Sequence, residues 1–414
     1  MIQEKRIIYE HLDVPDIYTF DVFRQYGGYQ RFEKALKELP PEEISDMVLQ
    51  SGLKGRGGAG FSTGLKWSFV PRDIEPRYLC CNADESEPGT FSNRYILERI
   101  PHLLVEGILI SCYALGIHSC YVYVRGEFTL GKKMLDRAIE EARSNGYLGE
   151  DILGSGFSLD IYTHPGAGAY ICGEETGLIE SLEGKRGQPR VKPPFPAVSG
   201  VFSKPTVVNN VETLCNIPFI VDQGIEWYTD MGVTYGDARF DPPKPDPNTG
   251  TKLYCVSGDV ENPGVYELEL GLTCDELIDV AGGVKGDRIK AVIPGGSSAP
   301  ILTDYELDTR MDFTALTLAK TMLGSGGIIV LNETRSIVDS LLNIMEFYAH
   351  ETCGQCTPCR NGTPWVRDIV KRIANGGGRQ TKIKRPRFGI TESGRWGDTG
   401  EVEEVYEDLE LLES

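Results

Sequence analysis

The chain has no long hydrophobic run and no excess of positive charge, and each absence excludes a class of function. The first 25 residues, MIQEKRIIYEHLDVPDIYTFDVFRQ, hold no apolar core of the kind a signal peptide carries. No apolar stretch approaches the roughly 20 residues that a membrane-spanning helix needs. The protein is therefore expected to be cytoplasmic, with no direct membrane contact of its own. Lysine and arginine number 42 against 61 aspartate and glutamate, for a net charge of −19. A broad basic face for nucleic acid is excluded, because neutralising phosphates takes clustered cations. An anionic ligand must instead be held by a local device, such as a glycine-rich loop or a helix N-terminus. Internal repeats are absent as well. Cysteine is not scarce, at eleven, but without a secretory leader disulfides are not the expected use. Eight of the eleven are scattered and read as small buried hydrophobes. The other three are Cys353, Cys356 and Cys359, and no cysteine follows them.

The 414 residues suffice for two to four domains. Residues 1–51 read as an N-terminal helical segment, in which Pro40 and Pro41 open a new helix. Over 52–236 strands alternate with helices. RYLCCNA (77–83), SCYVYVRGE (119–127) and FSLDIYTH (157–164) read as strands, and 101–116, 131–146 and 173–184 as helices. The alternation predicts an α/β fold with a Rossmann-like parallel sheet. DARFDPPKPDPNTG (237–250) is a linker by composition. Residues 250–334 form a small α+β module, with a hairpin turning at Asn262-Pro263-Gly264, a short helix over TCDELIDVAGG and a strand over IKAVIPGG. Residues 335–378 carry two helices, 336–351 and 363–378. Residues 379–414 are a polar, acidic tail expected to be disordered.

Four stretches carry chemistry. The first is GRGGAGFSTGLKW (55–67). Gly55, Arg56, Gly57, Gly58, Ala59 and Gly60 fit G-x-G-x-x-G, but the loop follows a helix, whereas the dinucleotide fingerprint follows a strand. A plain surface turn is the competing reading. The nearby cations Lys54, Arg56 and Lys66 and the aromatics Phe61, Trp67 and Phe69 favour a nucleotide, since glycines let a backbone approach a phosphate or a flat ring. The second is NADESEPG (82–89), at the end of the first strand, where open α/β sheets bind ligands. Its carboxylates Asp84, Glu85 and Glu87 suit ribose or amide donors, or form a solvated acidic turn. The third is HPGAGAYICGEETG (164–177), which follows a strand and opens a helix, so that helix N–H groups face an anion. Glu174 and Glu175 in its first turn also stabilise the helix by themselves. The fourth is ETCGQCTPCRNG. Three soft thiolates on one loop favour an iron–sulfur cluster or zinc, either of which usually takes four ligands. His350 is a candidate fourth ligand, giving a Cys3His zinc site, or a histidine at a helix C-terminus.

GRGGAGFSTGLKW, CNADESEPGTF, GAGAYICGEETGLIESLEG, VVNNVETL and CGQCTPCRNG occur in that order. In this combination residues 1–378 resemble the NADH- and FMN-binding subunit of bacterial respiratory NADH:quinone oxidoreductase. The resemblance implies a Rossmann-like domain, a small ubiquitin-like (β-grasp) domain and a C-terminal helical bundle with a [4Fe–4S] cluster on Cys353, Cys356 and Cys359. It implies that Gly55, Gly57, Gly58 and Lys66 line FMN, that Asn82, Asp84 and Glu85 hold its ring or ribityl chain, and that Gly173 and Glu174 lie beneath. Val208, Asn209, Asn210 and Thr213 would also reach FMN. Ala59, Phe61, Phe69, Glu87, Tyr170, Glu175 and Phe195 would face NADH. Glu85, Glu87 and Glu174 are the candidate catalytic carboxylates. Hydride transfer between two cofactors needs no side-chain base, which agrees with the lack of a catalytic triad. The family's fourth cluster cysteine has no counterpart here, where RWGDTGEVEE stands. The implied partners are a thioredoxin-like [2Fe–2S] subunit and the large iron–sulfur subunit, which would hold the chain at the cytoplasmic face of the inner membrane. Alternatives are the diaphorase subunit of an NAD-dependent hydrogenase or formate dehydrogenase, and a non-enzymatic nucleotide-binding assembly subunit with a zinc site.

Overall fold

The structure, a computed structural model, describes residues 4–237, 243–379, 382–390, 396–406 and 408, with the backbone alone over 382–390 and 396–405. The chain forms two compact units, Met1–Glu333 and Thr334–Ser414.

The first unit opens with α1 (Phe20–Gln25), α2 (Gln30–Glu38) and α3 (Pro41–Gln50). Pro41 sits in the first turn of α3, where its missing N–H costs nothing. After a glycine loop comes the short α4 (Thr63–Ser68), capped by Ser62. The alternating region follows as β1 (Tyr78–Ala83), α5 (Ser92–Arg99), α6 (Pro101–Leu115), β2 (Ser119–Val124), α7 (Thr129–Ser144), β3 (Asp160–Pro165), α8 (Glu175–Leu182), β4 (Thr206–Asn210), α9 (Val211–Gln223) and α10 (Ile225–Thr229). The strands form a parallel sheet in the order β3-β2-β1-β4. α6 is buried along nearly its whole length, as an all-round apolar helix must be. It passes so close to α9 that a Cβ on Gly107 would lie 2.2 Å from the carbonyl oxygen of Leu214. Chain order reverses between β1 and β4, the place where open sheets of this kind leave a crevice.

The linker expectation for 237–250 is overturned over its described part, because β5 (Gly232–Asp237) and β6 (Lys244–Thr249) form an antiparallel hairpin. Residues 238–242 lie outside the described residues. The alternating prolines Pro245 and Pro247 leave their missing N–H groups on one side of β6, as a strand with a free edge allows. The β-grasp module is β7 (Thr251–Gly258), β8 (Gly264–Glu269), α11 (Cys274–Val280), β9 (Ile289–Ile293), β10 (Leu302–Thr303), α12 (Phe313–Leu318) and β11 (Gly327–Asn332). Its sheet order is β10-β9-β11-β7-β8, with β11 parallel to β7, which is the ubiquitin-like arrangement. A buried ion pair fastens it to the parallel-sheet region. Lys252 and Glu212 have essentially no exposed side-chain surface, and the Glu212 carboxylate also accepts from the N–H of Leu253 at 2.9 Å.

The second unit holds α13 (Ile337–Glu351) and α14 (Thr357–Ala374). α14 begins six residues before the expected 363, because Pro358 is pre-set for a first helical turn. The expected disordered tail is also corrected over its described part. β12 (Lys382–Ile390) and β13 (Trp396–Tyr406) form an antiparallel hairpin whose register sets Lys384 opposite Glu404 and Arg385 opposite Glu403. The rest of the tail expectation, 380–381, 391–395, 407 and 409–414, lies outside the described residues.

Candidate active site

The carboxyl ends of β1 and β4, the turn before α8 and the glycine loop converge on a cleft of about 280 Å³. Arg56, Gly57, Asn82, Asp84, Glu85, Glu87, Tyr170, Gly173, Glu174 and Asn210 line it. The glycine loop is pinned at its base, where Gly55 N–H donates to Phe61 O at 2.8 Å and Thr63 N–H to Leu53 O at 2.9 Å. Its individual glycines have different reasons. A Cβ on Gly57 would lie 2.9 Å from Cβ of Asn210, and one on Gly60, at φ +64°, would lie 2.4 Å from the Phe313 ring. Gly58 has φ +155° and open space on its Cβ side. The N–H groups of Gly57, Gly58, Ala59 and Gly60 donate to no protein acceptor among the described residues. Four successive unpaired amides are donors left free for an anionic ligand.

Two of the three expected cations are tied up by acceptors of the protein itself. The Arg56 guanidinium is 1% exposed and donates to Thr249 O at 2.7 Å and Tyr228 Oη at 3.2 Å. Lys54 pairs with Asp246 at 2.7 Å. Only Lys66 joins the site, with Nζ 3.0 Å from Glu175 and from Val208 O. Trp67 likewise leaves the stacking set, for it is buried and donates from Nε1 to Asn209 Oδ1 at 3.0 Å. Asn209 Oδ1 and Val208 O thus hold Trp67 and Lys66 of α4. Thr213, fully buried, accepts from Arg56 N–H at 2.9 Å. Phe61 and Phe69 stay about half exposed with ring centroids 6.2 Å apart, and Phe195 is exposed as well.

At the end of β1, the Asn82 amide donates to Gly173 O at 2.9 Å and its oxygen accepts from Asp84 N–H at 3.1 Å. Asp84 is 8% exposed. Glu85 caps α5, accepting from the N–H groups of Asn93 at 2.8 Å and Arg94 at 3.0 Å. Burial pushes its carboxyl up, and these bonds offset part of the rise. Glu87 accepts from Ser298 N–H at 2.8 Å and from the Tyr170 hydroxyl. The expectation that α8 offers free N–H groups to an anion is overturned, because Glu174 already takes those of Thr176 and Gly177 at 2.8 Å. Lys192 bridges Glu174 at 2.9 Å and Glu175 at 3.1 Å. Burial alone would raise the Glu175 carboxyl, and Lys66 and Lys192 outweigh it and hold the group below its ordinary value.

Some contributors were not legible in the sequence. Ser92, Asn93, Glu212 and Ser325 also line the cleft. Asn93 is 4% exposed and its amide oxygen has no hydrogen-bond partner. SNRYILER reads as an ordinary helix start, and Ser325 arrives from the β-grasp module, so neither carried a local signal. Lys192 had one, in the locally basic loop with Lys185, Arg186 and Arg190.

Cys353, Cys356 and Cys359 join α13 to α14. Cys356 is the N-cap of α14 and Cys359 lies in its first turn. Cys353 is half-buried and the other two are exposed. Thr352 Oγ1 lies 3.1 Å from Cys359 Sγ, and Arg360 pins the loop through Gly354 O at 2.8 Å. His350 is 84% exposed and lies 3.8 Å from Glu351. No group of three His, Cys, Asp or Glu side chains converges as a metal site among the described residues. The remaining eight cysteines are buried in the first unit.

Residues 48–219 match the Nuo51 FMN-binding domain, 252–330 the SLBB domain, and 339–392 the NADH-ubiquinone oxidoreductase-F iron-sulfur binding region. An F subunit of NADH-quinone oxidoreductase in Rhizobium meliloti (strain 1021) is 50% identical over 375 residues, 90% of this chain and 86% of the relative. The F subunit of the Aquifex aeolicus (strain VF5) NADH-quinone oxidoreductase is 52% identical over 364 residues, 87% of this chain and 81% of the relative. The chain belongs to the family of NADH-quinone oxidoreductase F subunits. Among solved structures, an NAD+-reducing [NiFe]-hydrogenase in the H2-reduced state superposes with a TM-score of 0.77 at 35% identity, over 92% of this chain and 60% of the hydrogenase chain. The chain thus spans less than two thirds of that protein. The four unpaired loop amides and the unpartnered Asn93 oxygen are donors and an acceptor that fit FMN. The thiol loop fits an iron–sulfur group in softness and spacing, with three of the four thiolates that clusters commonly take. No described helix is long and apolar enough to cross a membrane.

Proposed function

We propose that this chain accepts hydride from NADH onto FMN and passes the electrons to an iron–sulfur centre, as the electron-input subunit of NADH-quinone oxidoreductase. The observation that carries the reading is the run of unpaired amides at Gly57–Gly60 beside a carboxylate-lined cleft, in a chain of this family. FMN, when bound, supplies a two-electron acceptor for NADH that releases electrons singly. The protein's own part is alignment and exclusion of water. The loop amides hold an anionic group. Asn82, Asp84 and Gly173 form the floor. Glu87 and the Lys66–Glu175–Lys192 bridge offer acceptors and donors to a dinucleotide, with Phe61, Phe69 and Phe195 as exposed stacking surfaces. Cys353, Cys356 and Cys359 would hold the cluster.

The proposed partners are a thioredoxin-like [2Fe–2S] subunit and the large iron–sulfur subunit of the same complex, at the cytoplasmic face of the inner membrane. The hydrogenase likeness favours a second reading, the diaphorase part of an NAD+-reducing enzyme, and the higher identity to the NADH-quinone oxidoreductase relatives favours the first. The test is flavin analysis of the purified chain after reconstitution, with NADH oxidation by an acceptor that takes electrons from flavin. A chain that takes up no FMN, or whose FMN is not reduced by NADH, sinks the reading. Reconstitution with the partner subunits and a quinone separates the two assemblies.

A further inference from the structure

We propose that Ser297 and Ser298 of the β-grasp module are positioning residues for Glu87, so that this module forms the second half of the dinucleotide site. The inference rests on the function proposed above. Glu87 Oε1 accepts three hydrogen bonds from one loop: Ser297 Oγ at 3.2 Å, Ser298 N–H at 2.8 Å and Ser298 Oγ at 2.8 Å. Tyr170 donates to the other oxygen. A carboxylate has about four lone-pair sites, two on each oxygen, so the three donors share and saturate Oε1, while Oε2, with Tyr170 on it, keeps one site in a residue that lines the cleft. The serine loop is itself docked through backbone: Ser297 N–H donates to Pro88 O at 3.1 Å, and Gly296 N–H to Gly327 O at 2.7 Å. The approach is possible only with glycine. A Cβ on Gly296, at φ +94°, would lie 2.4 Å from Glu87 Cγ, and one on Gly327 would lie 2.8 Å from the carbonyl carbon of Gly89. A second hydroxyl contact, Thr90 to Ser325, fastens the same segment. The arrangement fixes the Glu87 rotamer before a ligand arrives, which removes an ordering cost from binding.

The experiment uses the full chain loaded with FMN and titrated with NAD+ at equilibrium. Ser298→Ala is expected to weaken NAD+ binding about 3- to 10-fold, and the Ser297→Ala/Ser298→Ala double variant more, because a mobile carboxylate must be ordered on binding. Flavin per chain should not change. With an acceptor that draws from flavin, KM for NADH should rise while kcat stays within about two-fold, as expected for lost uniform binding. Ser298→Thr keeps the hydroxyl and should restore the parent affinity. Parent affinity in the double variant overturns the proposal. So does a loss of flavin and kcat in step with affinity, or a Ser298→Thr variant no better than alanine. Glu87→Gln separates the two levels. If it binds NAD+ like the parent, the placement of the dinucleotide fails. If it binds weakly while the serine variants do not, only the positioning role fails.

Discussion

Gly58 offers the sharpest test of the glycine loop, because its neighbours Gly57 and Gly60 are glycine for reasons internal to the protein. At Gly57 a side chain meets Asn210, and at Gly60 it meets Phe313. At Gly58 nothing lies within 4 Å of an added Cβ, so the main expected cost of Gly58→Leu in the cofactor-free protein is backbone strain at φ +155°, of order 1–3 kcal/mol. At about 2–4 °C per kcal/mol for a domain of some 200 residues, the cofactor-free protein should melt at most about 12 °C lower. Gly184 provides the strain control, with φ +79° and equally open surroundings after α8. Gly184→Leu should lower stability comparably and leave FMN in place. Gly58→Leu should lose FMN by about 100-fold or more, roughly 2.8 kcal/mol or beyond, because on the function proposed above the side chain would stand between the cofactor and the loop amides. Flavin per chain, the dissociation constant on reconstitution and the cofactor-free melting curve are the assays. If Gly58→Leu retains FMN as well as Gly184→Leu does, the loop is a surface turn.

Glu175→Gln should raise KM for NADH by about 10-fold while FMN stays bound, and Asp84→Ala should do the reverse, each lost bond to a charged acceptor being worth about 1.5–3 kcal/mol. Equal flavin loss in both would refute that division. Burial pushes the Glu106 carboxyl, fully enclosed on α6 beside Arg31, up to about 7. The folded carboxyl keeps a proton that the unfolded chain releases, so its stabilisation is complete below about pH 4.5 and is lost as pH rises through about 7. The melting temperature of Glu106→Gln relative to the parent should therefore be higher at about pH 8 than at about pH 5, and a pH-independent difference would contradict the assignment. Lys252→Met alone should destabilise by about 3–5 kcal/mol, whereas Lys252→Met with Glu212→Leu should recover most of it, since an unpaired buried charge is the main cost. With three thiolates the isolated chain should lose iron in air while FMN remains. Iron and sulfide measured against flavin, with an electron-spin spectrum after NADH reduction, check this, and a full, air-stable iron complement would overturn it.

The parallel sheet was legible because β1, β2 and β3 are short apolar runs separated by helices with clear punctuation, Pro101 and Gly116 around α6 being an example. The β5–β6 hairpin was not, because Pro245 and Pro247 argue against any strand that must donate on both sides. The motif positions around the cleft could be read as a set, but not which way each side chain points. Arg56 is the instructive case. A cation inside a glycine loop looks like a phosphate ligand, yet Thr249 and Tyr228 lie far along the chain and offer it a buried set of acceptors. Trp67 and Asn209 satisfy each other in the same way. Glu174 is the opposite case: its capping role follows from local sequence, and that same role removes the α8 amides that a helix start would otherwise offer. The contribution of the β-grasp module, through Ser297, Ser298 and Ser325, depends on tertiary contact alone.

These placements explain why an acidic protein needs so many glycines at one spot. An anion must be drawn to a chain of net charge −19. Lys54 is paired with Asp246, and Arg56 is enclosed behind the loop. Lys66 and Lys192 reach the site, but they stand against Glu174 and Glu175, so this quartet contributes no net positive charge. The first turn of α8 is closed by Glu174. What remains is neutral and directional: the N–H groups of Gly57, Gly58, Ala59 and Gly60, which no described acceptor uses. Amides bind through short, oriented contacts, and their field falls off faster than that of a free charge, so the backbone must come within hydrogen-bond reach of the ligand. Side chains on such a loop would hold it away. On the function proposed above, glycine at position 58, where no protein atom lies within 4 Å of an added Cβ, is therefore what lets the loop amides come within reach of an anion.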